Sequence, residues 1–101
     1  MHYMLFMCDD GTSDDSAWRD RLTEQGLGHR GWRLEPAGQA VTVRVRDGRT
    51  LVTEGPADDA YAPVTAVEIV DCPDLDVAIE AAGGHPAAGS RAVEIRPFWE
   101  D

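Results

Sequence analysis

The chain predicts an α+β domain in which one antiparallel sheet carries two helices on a single face. Three observations predict it. The run His2 to Cys8 is apolar throughout and stops at Asp9-Asp10-Gly11, as a strand in a sheet interior does. Val41, Val43 and Val45 alternate with polar residues up to Asp47-Gly48, after which Arg49 to Glu54 returns. That is hairpin chemistry, because a type I′ turn needs positive φ at both central residues. Two helical segments, Asp14 to Gln25 and Leu75 to Ala82, each follow an apolar strand and end at glycine.

Taken in order, Ser13 is expected to cap the first helix, whose apolar residues Trp18 and Leu22 lie four apart, and Gly26 and Gly28 to end it. A short strand through Trp32 and Leu34 ends at Pro36, and Gly55-Pro56 closes the hairpin. Residues 57 to 63 read as a polar loop, and Val64 to Val70 as a strand. Asp74 caps the second helix, in which Leu75, Ala78, Ile79 and Ala82 share a face, and Gly83-Gly84 stops it. Ala92 to Arg96 is the last strand. This order is that of a ferredoxin-like sandwich. The first strand is apolar on both sides, with Met4, Phe6 and Cys8 opposite Tyr3, Leu5 and Met7. The helices cover only one side, so a homodimer closing into an α/β barrel is expected to cover the other.

Composition bounds the function. The 101 residues fit one domain spanning 1–101. Nineteen acidic against nine basic side chains give a net charge of −10, which repels phosphate backbones and anionic headgroups. Neither nucleic acid nor membrane is expected as a partner. No apolar stretch approaches the roughly 20 residues that span a bilayer, and the apolar start is too short for a signal peptide. A cytoplasmic location is the expectation. Cys8 and Cys72 have no metal-ligand spacing and read as free thiols; parallel packing of the strands before them would bring them to matching ends. No phosphate-binding loop, metal site or nucleophile elbow is visible, so no cofactor is expected.

Several segments are similar to one known family. Leu34-Glu35-Pro36 and Thr42 to Pro56 resemble the central hairpin of YCII-related proteins of the DGPF type. Asp71 to Asp76 and His85 to Ala88 look like that family's helix entry and post-helix turn, and Val93 to Phe98 like its closing strand. The resemblance implies a ferredoxin-like, dimeric protein. The family's Asp-Gly-Pro-Phe stands here as Glu54-Gly55-Pro56-Ala57, and no histidine lies between Ser13 and Gln25, where YCII proteins carry theirs.

The candidate site residues follow from pattern and resemblance together. His85, in the post-helix turn, is the candidate proton-transfer group, or else the end of a helix. Glu54 is its candidate partner, or a turn-stabilising carboxylate. Glu68, Glu94 and Arg96 alternate with Val67, Ile69, Val93 and Ile95, which directs all three into the barrel if the apolar set faces the helices. They are candidates for binding a small polar metabolite, or for a structural charge network. Arg44, Arg46 and Arg49 ring the hairpin turn as an anion site or a solvated tip. The two function classes are a cofactor-independent acid–base enzyme or metabolite-binding protein, and a non-catalytic regulatory or interaction module.

Overall fold

A computed structural model describes residues 1–57 and 63–99. Its main sheet holds β1 (His2–Cys8), β2 (Gly28–Arg33), β5 (Val64–Asp71) and β6 (Ala92–Pro97) in the order β2-β5-β1-β6, with every neighbouring pair antiparallel. Between these strands lie α1 (Ser16–Glu24), α2 (Leu75–Gly83) and the short α3 (Pro86–Ser90). The protein is thus α+β and compatible with the ferredoxin-like arrangement expected from the sequence. No helix is long and apolar enough to cross a membrane among the described residues. Most of the expected polar loop, residues 58–62, lies outside the described residues.

The core forms on one side of the sheet. Tyr3, Leu5 and Met7 of β1 meet Trp18 and Leu22 of α1, Ala78, Ala81 and Ala82 of α2, and Ala87 of α3. Met4, Phe6 and Cys8 point to the opposite side and are only half-buried. Three buried alanines let α2 approach the sheet closely. Its apolar stripe therefore runs through Ala78, Ala81 and Ala82, not through the expected Leu75 and Ile79, both of which are exposed.

Local chemistry fixes the helix ends. Asp74 caps α2 by accepting the Val77 N–H at 3.0 Å. Gly26 takes φ +74, and Leu27 N–H donates back to Leu22 O at 3.0 Å, so α1 ends in a Schellman motif. Its start differs from expectation. The helix begins at Ser16 after Asp15, and Ser13 is no cap, because its hydroxyl donates to Asp9 Oδ2 at 2.9 Å.

The hairpin β3 (Val41–Arg46) and β4 (Arg49–Glu54) forms as expected, with Asp47 at φ 53 and Gly48 at φ 74 in the turn. It makes a separate two-stranded sheet. Val41, Val43, Val45 and Val52 of this ribbon are each about 60% exposed. The radius of gyration, 15.5 Å, exceeds the about 13 Å of a compact chain of this length.

The antiparallel pairing of β1 with β5 overturns one expectation. His2 pairs with Asp71 and Cys8 with Val64, so Cys8 and Cys72 sit at opposite ends of the sheet. Both are free thiols, and burial pushes both above the usual cysteine range. They do not form a redox pair.

Candidate functional site

The residues with chemical potential fall in three places, only one of which is a cleft. The cleft lies where β1 runs into α1, under the start of α3, and its lining includes Asp9, Ser13, Asp15, Arg33, Thr65 and His85.

His85 is the N-cap of α3, and only 4% of it is exposed. Its Nδ1 accepts the Ala87 N–H at 2.9 Å, and Trp18 packs edge-on against the ring at 4.8 Å between centroids. Its Nε2 is enclosed and has no hydrogen-bond partner among the described residues. The nearest ionic group is Asp15 Oδ2 at 3.7 Å, beyond hydrogen-bond length. Burial pushes the imidazole below its ordinary range, and Asp15 and Asp9 oppose that shift without reversing it.

The two aspartates differ in how they are held. Asp9 is buried, which favours its neutral form, but it accepts bonds from Thr65 Oγ1, Gly11 N–H and Ser13 Oγ. Those bonds outweigh the burial and hold the carboxyl below the usual carboxylate range. Asp9 thereby organises the loop that leads into α1. Asp15 is the N-cap residue of α1 yet makes no side-chain cap bond. Its carboxylate lies between His85 Nε2 and Arg19 Nε, which is 3.5 Å away. Arg33 crosses the cleft and donates to Gly11 O.

Arg19 continues into a second cluster. It donates from Nη2 to Glu68 Oε1 at 2.7 Å, and His29 Nδ1 lies 3.0 Å from Glu68 Oε2. Glu68 is completely buried, and burial raises its carboxyl above the usual range even beside His29 and Arg19. The expectation that Glu68 points with Glu94 and Arg96 into a barrel is therefore corrected. Glu68 pairs across the strands with Leu5 and with Gly31, so it faces the helices. Glu94 and Arg96 pair with Phe6 and Met4 and occupy the open side. The phase of β5 is opposite to that read from its valines: Ala66, Glu68 and Val70 point inward, Val67 and Ile69 outward.

Glu54, the expected partner of His85, ends β4 on the separate ribbon, and no ion pair or hydrogen bond joins the two among the described residues. Arg46 and Arg49 pair across the ribbon's tip as expected, and both are exposed. His85, Glu54 and Arg96 thus lie in three separate regions. Reasoning from the sequence missed Asp9, Asp15, Arg19 and His29. A carboxylate-rich loop joining an apolar strand to a helix was the available signal for the first two.

One pH effect follows from His85. Its folded-state value lies below the unfolded 6.5, so its contribution to stability is complete above 6.5 and is lost as pH falls through the folded value. Glu68 has the opposite sign. Its contribution is present below 4.5 and is lost as pH rises through its folded value. Denaturation curves taken from pH 8 to pH 5 should show wild type losing stability below 6.5, with the His85→Gln variant lacking that part of the loss. Parallel curves for the two proteins would contradict the assignment.

No family model matches the chain. Over an alignment of 70 positions that covers 65% of this chain, it is 33% identical to an uncharacterized protein of Rhizobium meliloti (strain 1021). That alignment spans 55% of the relative, so the chain corresponds to about half of that protein's length.

Proposed function

We propose that the mouth of this cleft, where Asp15 is partly exposed, is a site for a small polar metabolite at which the chain performs acid–base chemistry without a cofactor; the cleft itself, about 10 Å³, has room for no more than a water. The observation that carries this reading is His85 Nε2, a fully enclosed polar atom with no hydrogen-bond partner among the described residues, 3.7 Å from a carboxylate. Buried polar atoms in folded proteins are nearly always paired, and leaving one unpaired costs about 1–3 kcal/mol. Such a cost is accepted where the group serves a neighbour, and the neighbour here is the partly exposed Asp15 carboxylate. The reading also takes the chain to be a diverged YCII-related protein of the DGPF type, ferredoxin-like in fold and located in the cytoplasm. A homodimer closing the barrel is part of it, supported by the half-buried Met4, Phe6 and Cys8 on the side of the sheet away from the helices. Lyase, isomerase and hydrolase chemistry all fit a partly exposed carboxylate backed by a buried imidazole.

The test is a thermal-shift screen against small amines, alcohols, carboxylates, phosphates, lactones and aromatic metabolites, on protein whose solution mass is compared with twice the 11.0 kDa chain. A ligand at 100 times its Kd stabilises by about 2.7 kcal/mol, roughly 10–20 °C for a domain of this size. We expect such a shift from at least one compound, and its loss in Asp15→Asn. A flat response sinks the metabolite site. The second reading, a non-catalytic interaction module, would then take its place, favoured by the four exposed valines of the ribbon.

A further inference from the structure

The hydrogen bonding around His85 decides which of its nitrogens carries a proton. The backbone N–H of Ala87 can only donate, and it lies 2.9 Å from Nδ1. Nδ1 must therefore present its lone pair, and in the neutral ring the proton sits on Nε2. A proton added to this ring would go to Nδ1, where two donors would face each other in a buried place and the cap of α3 would be lost. A group so held is poorly suited to exchanging protons.

Nε2 is also enclosed, so a molecule entering the cleft does not reach it. What the Nε2–H faces is Asp15, whose side chain is 22% exposed. Aspartate is among the best helix caps, yet the side chain of this one makes no bond to the α1 backbone, whose first N–H, that of Ser16, donates to Asp14 Oδ1 instead. Asp9, in contrast, has its oxygens occupied by Gly11, Ser13 and Thr65. Asp15 is thus the cleft carboxylate with spare acceptor capacity.

We propose that Asp15 is the group that meets the ligand, and that His85 is its positioning residue, a neutral imidazole locked as an Nε2–H donor by the Ala87 amide. The inference rests on the metabolite-site reading and reverses the roles expected from the sequence, since the carboxylate takes the front and the histidine stands behind it. It also narrows the ligand class. An acceptor carboxylate calls for a compound that presents N–H or O–H, an amine or an alcohol. A ligand carboxylate or phosphate would meet Asp15 as a like charge. The charged groups that act on His85 are Asp15 and Arg19 from α1 and Asp9 from the end of β1. Burial works with the lock, since it too favours the neutral ring.

Long-range proton–nitrogen NMR of the three histidines in the intact protein tests this, with His85 assigned by its absence in His85→Gln. We expect a bare Nδ1 and a protonated Nε2 at neutral pH, persisting to the lowest pH at which the protein stays folded. Asp15→Asn, a change at a partly exposed side chain, should move the Nε2 resonance and leave Nδ1 in place. A proton on Nδ1, an imidazolium forming in the folded protein, or an Nε2 indifferent to Asp15→Asn would each overturn the proposal. These spectra need no ligand. A locked, coupled His85 in a protein that ignores every screened compound would refute the metabolite site and leave this pairing intact. A titrating His85 in a protein that binds an amine or alcohol would refute the pairing alone.

Discussion

Gly31→Ala is expected to lower stability by about 3 kcal/mol or more, roughly 12–24 °C in melting temperature for a domain of this size. Gly31 stands directly across from Glu68 on the helix side of the sheet. An added Cβ would overlap the Glu68 carboxylate and lie 2.7 Å from Arg19 Nη2. The end of a glutamate side chain is ordinarily free to move aside. This one is enclosed and bound to Arg19 at 2.7 Å and His29 at 3.0 Å, so moving it breaks a buried ion pair. Loss of one partner in such a pair costs about 3–5 kcal/mol, because the remaining charge stays buried and uncompensated. A double-mutant cycle isolates the cause. In a Glu68→Ala background the carboxylate is gone and Arg19, released from its partner, can swing aside, so Gly31→Ala should there be nearly neutral. If the cost is the same in both backgrounds, the strain lies in the backbone and the steric account fails.

The second large effect belongs to Trp18. Its ring is buried between α1 and α2, its Nε1–H donates to Ala81 O at 2.7 Å, and it meets the His85 ring nearly at right angles. Truncation to alanine removes a large buried aromatic group from a small core, at an expected cost of about 3–5 kcal/mol. Trp18→Phe keeps most of the apolar surface and loses the donor, leaving the Ala81 carbonyl with the Gly84 N–H alone, at about 1 kcal/mol. Urea denaturation of both variants separates packing from hydrogen bonding. Equal costs would assign the whole effect to the Ala81 bond. Because Ala81 is on α2, this residue also ties the helix that carries Asp15 to the turn that carries His85.

How legible this was in the sequence depends on which side of an element decided the matter. Strand positions came through because apolar alternation and Asp47-Gly48 are local signals. The inner side of β1 was readable as well, since either of its two apolar sets could fill a core. The phase of β5 was not. Val67 and Ile69 are the residues that hydrophobicity alone would bury, but Glu68 takes the inside because Arg19 and His29, 49 and 39 residues away, meet its charge there. Gly31 leaves it room. A buried charge is identified by its partners, and partners from two other elements carry no local signature. The same holds for the cleft. His85 was a candidate from a short resemblance, while Asp15 looked like an ordinary residue at the start of a helix.

The ribbon of β3 and β4 has a consequence for how the molecule comes apart. Two strands alone are marginal in water, and this pair shares no ladder with the main sheet. At its base, Gly55 N–H donates to Ala40 O at 2.7 Å, which joins the two arms to each other. Cooperative unfolding requires that each part bury surface against the rest, and here about fourteen residues bury little. The ribbon is therefore expected to melt as a separate unit, opening and reclosing while Leu5, Trp18 and Glu68 stay where they are. Stability measured on the core will not report on it, and a substitution among its valines can change its population without moving the main transition.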